Sequence, residues 1–351
     1  MSRQAAAILL VAGFVAALLA CRKDPSLTQE DPCASARTPL HLDYHAFFPD
    51  PVIPADNPLT VEGVELGRRL YYDPILSSSG PLAGRSCSSC HFQEHAFTVP
   101  DPGVPAIGNT NVLSHCNLAW ASHFLWDGSA GPTLEDVMRY EVEDFFQLDV
   151  NVLREHPEYP ELFRKAFGTC EITLPLVEKA MAQWFRRLTS ANSKFDRFLK
   201  NEEALSPEEW RGFQLFFTEA GDCFHCHSMP LMTDDGFHNI GLDSIFVGKG
   251  VGRYAVTGNP MDMGAFKTPT LRNIALTAPY MHDGRFQTLE EVVDFYSGGA
   301  KHSPSLDPIM TKPGTGITIG MTPEQKADLV AFLHTLTDDV FVTDTALASP
   351  F

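Results

Sequence analysis

Apolar residues recur at helical spacing in several segments of the chain, and the residue before each of these segments can cap a helix. Thr60 and Thr133 each precede such a segment. Ser206 and Thr322 are each followed by Pro and, three positions later, by Glu or Gln, which predicts a capped helix with Pro in its first turn. The longest amphipathic stretch, 174–199, predicts one long helix. Alternation of period two is scarce, so the pattern predicts a mainly α protein with long loops.

The chain also contains an internal repeat of five elements that recur in the same order. They are Gly-x-x-Leu, Cys-x-x-Cys-His, Asn before two apolar residues, Trp or His before Asp-Gly, and Leu-Glu-x-Val followed four positions later by Glu or Tyr. The first copy runs from Gly67 to Glu141 and the second from Gly212 to Tyr296. Coincidence between helix starts does not explain this shared order. We therefore predict two homologous helical domains, 58–203 and 204–340, with the long helix linking them.

The first twenty residues are typical of an export signal. Arg3 precedes an apolar run, Ala5 to Ala20, that is shorter than the ~20 residues a spanning helix usually needs. The run ends in Leu-Leu-Ala before Cys21, as in the lipobox of bacterial lipoproteins, where the cysteine becomes the lipidated N-terminus. An uncleaved anchor helix is the alternative. We predict a signal peptide over 1–20 and a Pro-rich tether and extended arm over 21–57. The protein would then lie in the periplasm or at the cell surface of a bacterium, held to the membrane by its lipid only.

The formal net charge is −18, from 44 acidic and 26 basic residues. This excess of acid argues against nucleic acid as a partner, because phosphate contacts need clustered Lys and Arg. An acidic surface would steer a basic partner, such as a positively charged small electron carrier. An acidic surface kept only for solubility explains the charge equally well.

The Cys-x-x-Cys-His element attaches c-type haem, with the thiols bonded to the porphyrin and the adjacent imidazole ligating iron. Two Cys-x-x-Cys pairs could instead hold zinc or act as redox dithiols. Both pairs are followed at once by His in a chain predicted to be exported, which favours two covalently bound haems c. The predicted attachment residues and proximal ligands are Cys87, Cys90 and His91 in the first copy, and Cys223, Cys226 and His227 in the second.

Three further cysteines, Cys33, Cys116 and Cys170, remain beside Cys21. They are an odd set, and the sequence does not reveal their pairing.

The repeat points to different residues on the distal sides of the two haems. Glu141 and Tyr296 occupy the same position, four residues after Leu-Glu-x-Val. A carboxylate there could move a proton between the two oxygens of bound peroxide, whereas a phenol could ligate iron as phenolate. A surface carboxylate and a half-buried core aromatic are the structural alternatives. We predict one open and one closed haem.

Several longer motifs resemble the bacterial di-haem cytochrome c peroxidase family over roughly residues 50–340. They are Pro54-Ala-Asp-Asn-Pro58, Leu66-Gly-Arg-Arg-Leu70-Tyr-Tyr-Asp73, both haem motifs, Phe124-Leu-Trp-Asp-Gly128, Phe266-Lys-Thr-Pro-Thr-Leu-Arg-Asn273 and Thr277-Ala-Pro-Tyr-Met-His-Asp-Gly284. The resemblance implies two cytochrome c-like domains, each with one haem.

This resemblance also implies a division of labour. The C-terminal haem would take electrons from a small donor protein of the cytochrome c or cupredoxin type, and Trp126 would help to relay them. The N-terminal haem would bind hydrogen peroxide, with Glu141 assisting its cleavage. A calcium ion would lie between the domains near Asn111, Thr277 and Pro279, two of them ligating through backbone carbonyls. The resemblance also implies a possible homodimer, because members of this family are often dimers.

Two departures from the family pattern affect these expectations. Tyr296 stands where well-known peroxidases have a distal Met, as in the related enzyme that matures methylamine dehydrogenase; Met281 and Met310 are alternative ligands. The loop 101–108 has no His to close the N-terminal haem, so we predict that this haem is open without prior reduction. The remaining nearby histidines, expected to be structural, are His95, His115 and His123.

The leading function is therefore a cytochrome c peroxidase. A di-haem oxidase that uses peroxide to modify Trp or Tyr of a partner protein is the alternative enzyme, and a plain electron-transfer cytochrome is the third. Glu141 argues against the third function, and Tyr296 keeps the second open.

Overall fold

The structure is a computed structural model, and it describes residues 31–99, 110–312, 314 and 316–351. Residues 35–351 form one compact unit, and a second unit, 1–34, is described only over 31–34. The predictions for the signal peptide, for Cys21 and for the loop 101–108 lie outside the described residues.

The protein is mostly helical, as predicted. The α-helices are α1 (Val61–Tyr72), α2 (Leu134–Arg139), α3 (Val150–Glu155), α4 (Tyr159–Phe167), α5 (Leu174–Arg187), α6 (Lys194–Leu199), α7 (Pro207–Phe216), α8 (Tyr254–Thr257), α9 (Leu289–Asp294), α10 (Pro323–His334) and α11 (Asp339–Thr343). Two π-helical segments, Tyr140–Phe145 and Phe295–Gly299, follow α2 and α9 directly. Short 3₁₀ turns occupy Pro74–Ser77, Cys87–Ser89, Gln93–His95, Leu118–Trp120, Gly248–Val251, Pro260–Asp262, Ile274–Leu276 and Pro308–Met310.

The described strands are two residues long each. β1 (Phe237–His238) pairs antiparallel with β2 (Phe266–Lys267), with Phe237 opposite Lys267. Within the described part of the chain, no helix has the length and apolar character needed to cross a bilayer.

The predicted helix starts are confirmed by their capping geometry. The side chain of Thr60 accepts a hydrogen bond from the Gly63 amide, and Thr133, Ser206 and Thr322 each form a reciprocal capping box. Such caps satisfy amides that the first helical turn leaves without partners.

The predicted single helix over 174–199 is wrong, because α5 ends at Arg187 and α6 begins at Lys194. The intervening segment finds other partners for its backbone. The amide of Ser190 donates to the side chain of Asn117, and the amides of residues 191 and 192 donate to Asp338. Ser193 then starts a new helix with its own capping box. Polar side chains thus compete successfully with the helical hydrogen bonds here.

The first helix of each copy of the repeat crosses a later helix at the same close distance. In the first copy, a Cβ on Gly67 of α1 would lie 2.0 Å from the Ala180 carbonyl oxygen of α5. In the second, a Cβ on Gly212 of α7 would lie 2.0 Å from the Asp328 carbonyl oxygen of α10. The glycine of the Gly-x-x-Leu element is therefore required because the two helix backbones touch at that point.

Two large hydrophobic clusters correspond to these helix pairs. The first is built largely from residues 59–188 and includes Tyr71, Trp184 and Phe185. The second is built from residues 195–336 and includes Phe195 and Phe332.

Candidate functional site

The first Cys-x-x-Cys-His motif forms a compact turn. Cys87 to Ser89 are in a 3₁₀ turn, and the amide of His91 donates to the Cys87 carbonyl at 3.0 Å. The Nδ1 atom of His91 lies 2.7 Å from the carbonyl oxygen of Phe97. Donation of Nδ1–H to this carbonyl leaves Nε2 free as a metal ligand. Burial lowers the pKa of His91 to about 4, which keeps the imidazole in the neutral form that a metal requires.

The second motif repeats this arrangement. The amide of His227 donates to the Cys223 carbonyl at 2.9 Å, and its Nδ1 lies 3.1 Å from the Met232 carbonyl oxygen. Burial lowers the pKa of His227 to about 4 as well. The four motif cysteines are free thiols, available for thioether bonds: Cys87, Cys90, Cys223 and Cys226.

A cavity of about 710 Å³ opens beside the first motif. It is lined largely by apolar side chains, and Cys87, Cys90 and His91 form part of its wall. This volume is in the range of cofactor pockets. Free thiols, a neutral imidazole with one nitrogen available, and an apolar cavity together fit a covalently bound haem.

Glu141 lines the same cavity and lies in the π-helix that follows α2. Burial raises its pKa to about 7. Its charge in turn contributes, after burial, to raising the pKa values of Cys87 and Cys90, so the carboxyl lies close to the predicted haem attachment site.

Tyr296 lies in the π-helix that follows α9, at the position equivalent to Glu141. Burial raises the pKa of its phenol, and the nearby thiols of Cys226 and Cys223 raise it further. The local structure of the two copies is the same: a capping box, a six-residue helix, and then a π-helical segment. Segments of this kind are frequent at functional sites.

Trp126 lies at the junction of the two copies. Its indole N–H donates to the Asn111 carbonyl at 2.8 Å, and its ring contacts His282 edge-on, with 6.4 Å between ring centroids. His282 is the residue that replaces Trp126 in the second copy, and it stacks on Phe266 at 3.6 Å. Sequence analysis did not predict this contact, although the repeat alignment paired the two residues.

The residues predicted to bind calcium are partly brought together. The side-chain amide of Asn111 donates to the carbonyl oxygens of Pro279, at 2.5 Å, and Met281, at 3.1 Å. The hydroxyl of Thr277 donates to the Ile274 carbonyl. Met281 lines the cavity beside the first haem motif.

A buried polar network connects the two copies near these sites. Arg272 and Asp196 form an ion pair at 2.8 Å with side-chain exposures of 2% and 0%. Asn117 and Asn273, which correspond in the repeat, both adopt the left-handed conformation, and Asn273 donates to the hydroxyl of Ser190 at 3.1 Å. Asparagine tolerates this conformation better than most residues.

Three further cysteines and two further histidines have identifiable surroundings. Cys116 is a buried free thiol near Asn273, whereas Cys33 and Cys170 are disulfide-bonded. His123 pairs with Asp235 and is half-exposed. His115 stacks on His91.

The mostly helical fold and the two Cys-x-x-Cys-His turns are typical of c-type cytochromes. Residues 61–204 match the family model of the di-haem cytochrome c peroxidases. The chain is 40% identical over 299 residues to the methylamine utilization protein MauG of Methylorubrum extorquens, covering 81% of this chain and 80% of that protein. It is 32% identical over 305 residues to the cytochrome c551 peroxidase of Nitrosomonas europaea, covering 82% and 83%.

One solved structure agrees with these relatives. A MauG-like protein associated with microbial copper homeostasis superposes with a TM-score of 0.79 at 34% identity, covering 89% of this chain and 99% of that chain. The chain therefore belongs to the di-haem cytochrome c peroxidase family, whose members are peroxide-using oxidoreductases with two c-type haems.

Proposed function

We propose that this protein reduces hydrogen peroxide at the first haem, with electrons delivered through the second. One observation supports this division most directly: a half-buried carboxyl, Glu141, lines the first cavity at the position where the second copy has Tyr296. A carboxylate is a weak ligand for haem iron but an effective proton carrier, whereas a phenolate can bind iron.

Cys87, Cys90 and His91 would hold the first haem, which would supply the iron chemistry for reducing peroxide. Glu141 accepts the proton of one peroxide oxygen and returns it to the other, which leaves as water. One peroxide, two electrons and two protons give two waters. The wall of the cavity beside Glu141 is largely apolar.

Cys223, Cys226 and His227 would hold the second haem, and Tyr296, close to the two thiols, could bind its iron. A phenolate ligand would give this haem a lower potential than a Met ligand. Trp126, in edge contact with His282, lies on the route by which electrons pass between the copies.

The finer organisation is part of the same proposal. The two cytochrome c-like domains are 58–203 and 204–340, and a small c-type cytochrome or cupredoxin is the donor. The protein is a periplasmic or cell-surface lipoprotein, attached through Cys21. Calcium binds near Asn111, supported by the two carbonyls that converge on its amide. A homodimer is the assembly suggested by the family resemblance.

The second candidate is an oxidase that uses peroxide to modify an aromatic residue of a partner protein. Tyr296 favours it, and three of the proteins that the chain matches carry the name MauG or MauG-like. This function would use the same two haem sites with a protein as the reductant.

Steady-state oxidation of reduced cytochrome c by peroxide separates the two functions. Turnover supports the peroxidase, whereas peroxide consumption only with a protein substrate that becomes oxidised supports the second function. Low-temperature electron paramagnetic resonance of the resting protein should show one high-spin and one low-spin iron. Two low-spin irons with no access for peroxide, or a purified protein without haem absorbance, would refute both.

The distal ligand is tested by Tyr296→Phe. Loss of the phenolate should convert the low-spin signal of the second iron to a high-spin signal, or shift its g-values. The signal of the first iron should stay the same. An unchanged spectrum would exclude Tyr296 as a ligand.

A further inference from the structure

A second imidazole lies against the first proximal histidine. The rings of His115 and His91 are stacked, with 3.5 Å between centroids and 21° between planes. Phe185 of α5 also contacts His115, with 4.5 Å between the ring centroids. Since His91 is the predicted iron ligand, His115 is in direct contact with the group that sets the properties of the first haem.

Tyr71 of α1 connects this stacked pair to the backbone. Its buried hydroxyl lies 3.3 Å from the Nδ1 atom of His115 and donates, also at 3.3 Å, to the carbonyl oxygen of His91. His91 is therefore held at three points: its own Nδ1 by the Phe97 carbonyl, its ring face by His115, and its backbone by Tyr71.

The second copy has no such pair. Counting from the shared Gly-x-x-Leu element, Tyr71 corresponds to Phe216, and counting from the shared Asn, His115 corresponds to Leu271. Both replacements are apolar and belong to the second hydrophobic cluster. The hydrogen bond from the proximal histidine to a backbone carbonyl is kept in both copies, whereas the Tyr–His pair belongs to the first alone.

We propose that His115 and Tyr71 are positioning residues that orient the proximal ligand His91 and make the first haem electronically different from the second. This inference rests on the proposed attachment of haem at His91. It adds a proximal difference between the two haems to the distal difference between Glu141 and Tyr296.

The contacts of His115 and Tyr71 should lower the midpoint potential of the first haem relative to apolar neighbours. An imidazole that its neighbours hold in one orientation donates electron density more effectively to a ferric iron. Polar neighbours also stabilise the positive charge of the iron better than apolar side chains do. Replacing His115 by Leu removes both contributions. The reduced state of the first haem then becomes relatively more stable, so its midpoint potential rises.

The experiment exchanges residues between the copies in the full two-haem protein. His115→Leu and Tyr71→Phe introduce the side chains found at Leu271 and Phe216. Phe185→Leu is the matched control, because it changes packing on His115 without removing a polar group. His115→Phe keeps a stacking ring but not the ring nitrogens. Each variant is examined by redox titration and by low-temperature electron paramagnetic resonance.

We expect His115→Leu to raise the midpoint potential of the first haem and to broaden its electron paramagnetic resonance signal. The potential and the signal of the second haem should not change. Tyr71→Phe should have the same sign and a smaller effect, and His115→Phe should retain the narrow signal. Equal shifts in Phe185→Leu and His115→Leu, or no shift in His115→Leu and Tyr71→Phe, would overturn the inference.

Haem content separates this failure from a failure of the proposed function. Two covalent haems per chain, measured by the pyridine haemochrome absorbance, with no change in potential would reject the positioning role alone. A parent protein that attaches no haem at the first motif would reject the proposed function as well.

Discussion

The carboxyl of Glu141 should give peroxide reduction a pH dependence that disappears in Glu141→Gln. Burial raises the pKa of this carboxyl to about 7, so it is protonated below that pH and ionised above it. Only the ionised form can accept a proton from peroxide, and activity should therefore be present above pH 7 and fall as the pH decreases through it. The ionised fraction is about one half at pH 7 and roughly one hundredth at pH 5, which predicts a decrease of roughly 50-fold in kcat/KM.

The assay is the initial rate of peroxide-dependent oxidation of a reduced cytochrome c, measured between pH 5 and pH 9. Glu141→Gln keeps the size of the side chain and should lower kcat/KM by roughly 10²–10⁴-fold, with a flat profile over this range. Asp144→Asn is the control, because Asp144 is an exposed acid on the same π-helix. A Glu141→Gln variant that keeps the wild-type rate, or that keeps the inflection near pH 7, would refute the reasoning.

Three further outcomes are expected. Gly67→Ala should lower the free energy of unfolding by about 1–3 kcal/mol or more, since its Cβ would meet the backbone of the facing helix; urea unfolding against Gly250→Ala, which has open space, tests this. Asp196→Asn leaves Arg272 buried without its counter-charge and should cost about 3–5 kcal/mol; a loss under about 1 kcal/mol would contradict this. Trp126→Phe should slow electron transfer between the haems in stopped-flow absorbance, and unchanged rates would exclude it from the route.

Local features were the most predictable. The caps at Thr60, Thr133, Ser206 and Thr322 were recognised because a cap depends on residues only three positions apart. The prediction of one helix over 174–199 is wrong. The break between α5 and α6 depends on hydrogen-bond acceptors, Asn117 and Asp338, that are distant in sequence. Periodicity alone cannot show that a remote carboxylate or amide oxygen will take a segment's backbone N–H groups.

The candidate site also has parts that the sequence predicts and parts that it does not. The two haem motifs and the correspondence between Glu141 and Tyr296 can be predicted from the sequence. Both depend only on the order and spacing of residues along the chain. The edge contact of Trp126 with His282 was not predicted, since it joins segments about 150 residues apart. His115 was expected to be only structural, and no spacing rule relates it to His91.

The amino-acid sequence by itself predicted the chemistry: the thiols and imidazoles that would hold two haems, the residues at which helices begin, and a unit that is repeated along the chain. Tertiary structure decided how the two copies differ in use. Packing of α1 on α5 brings Tyr71 to His115 and His91, and burial rather than residue type moves the pKa of Glu141 to about 7. The physical reason is that bonding motifs act over a few residues, whereas desolvation and ring contacts depend on every segment that folds around the site.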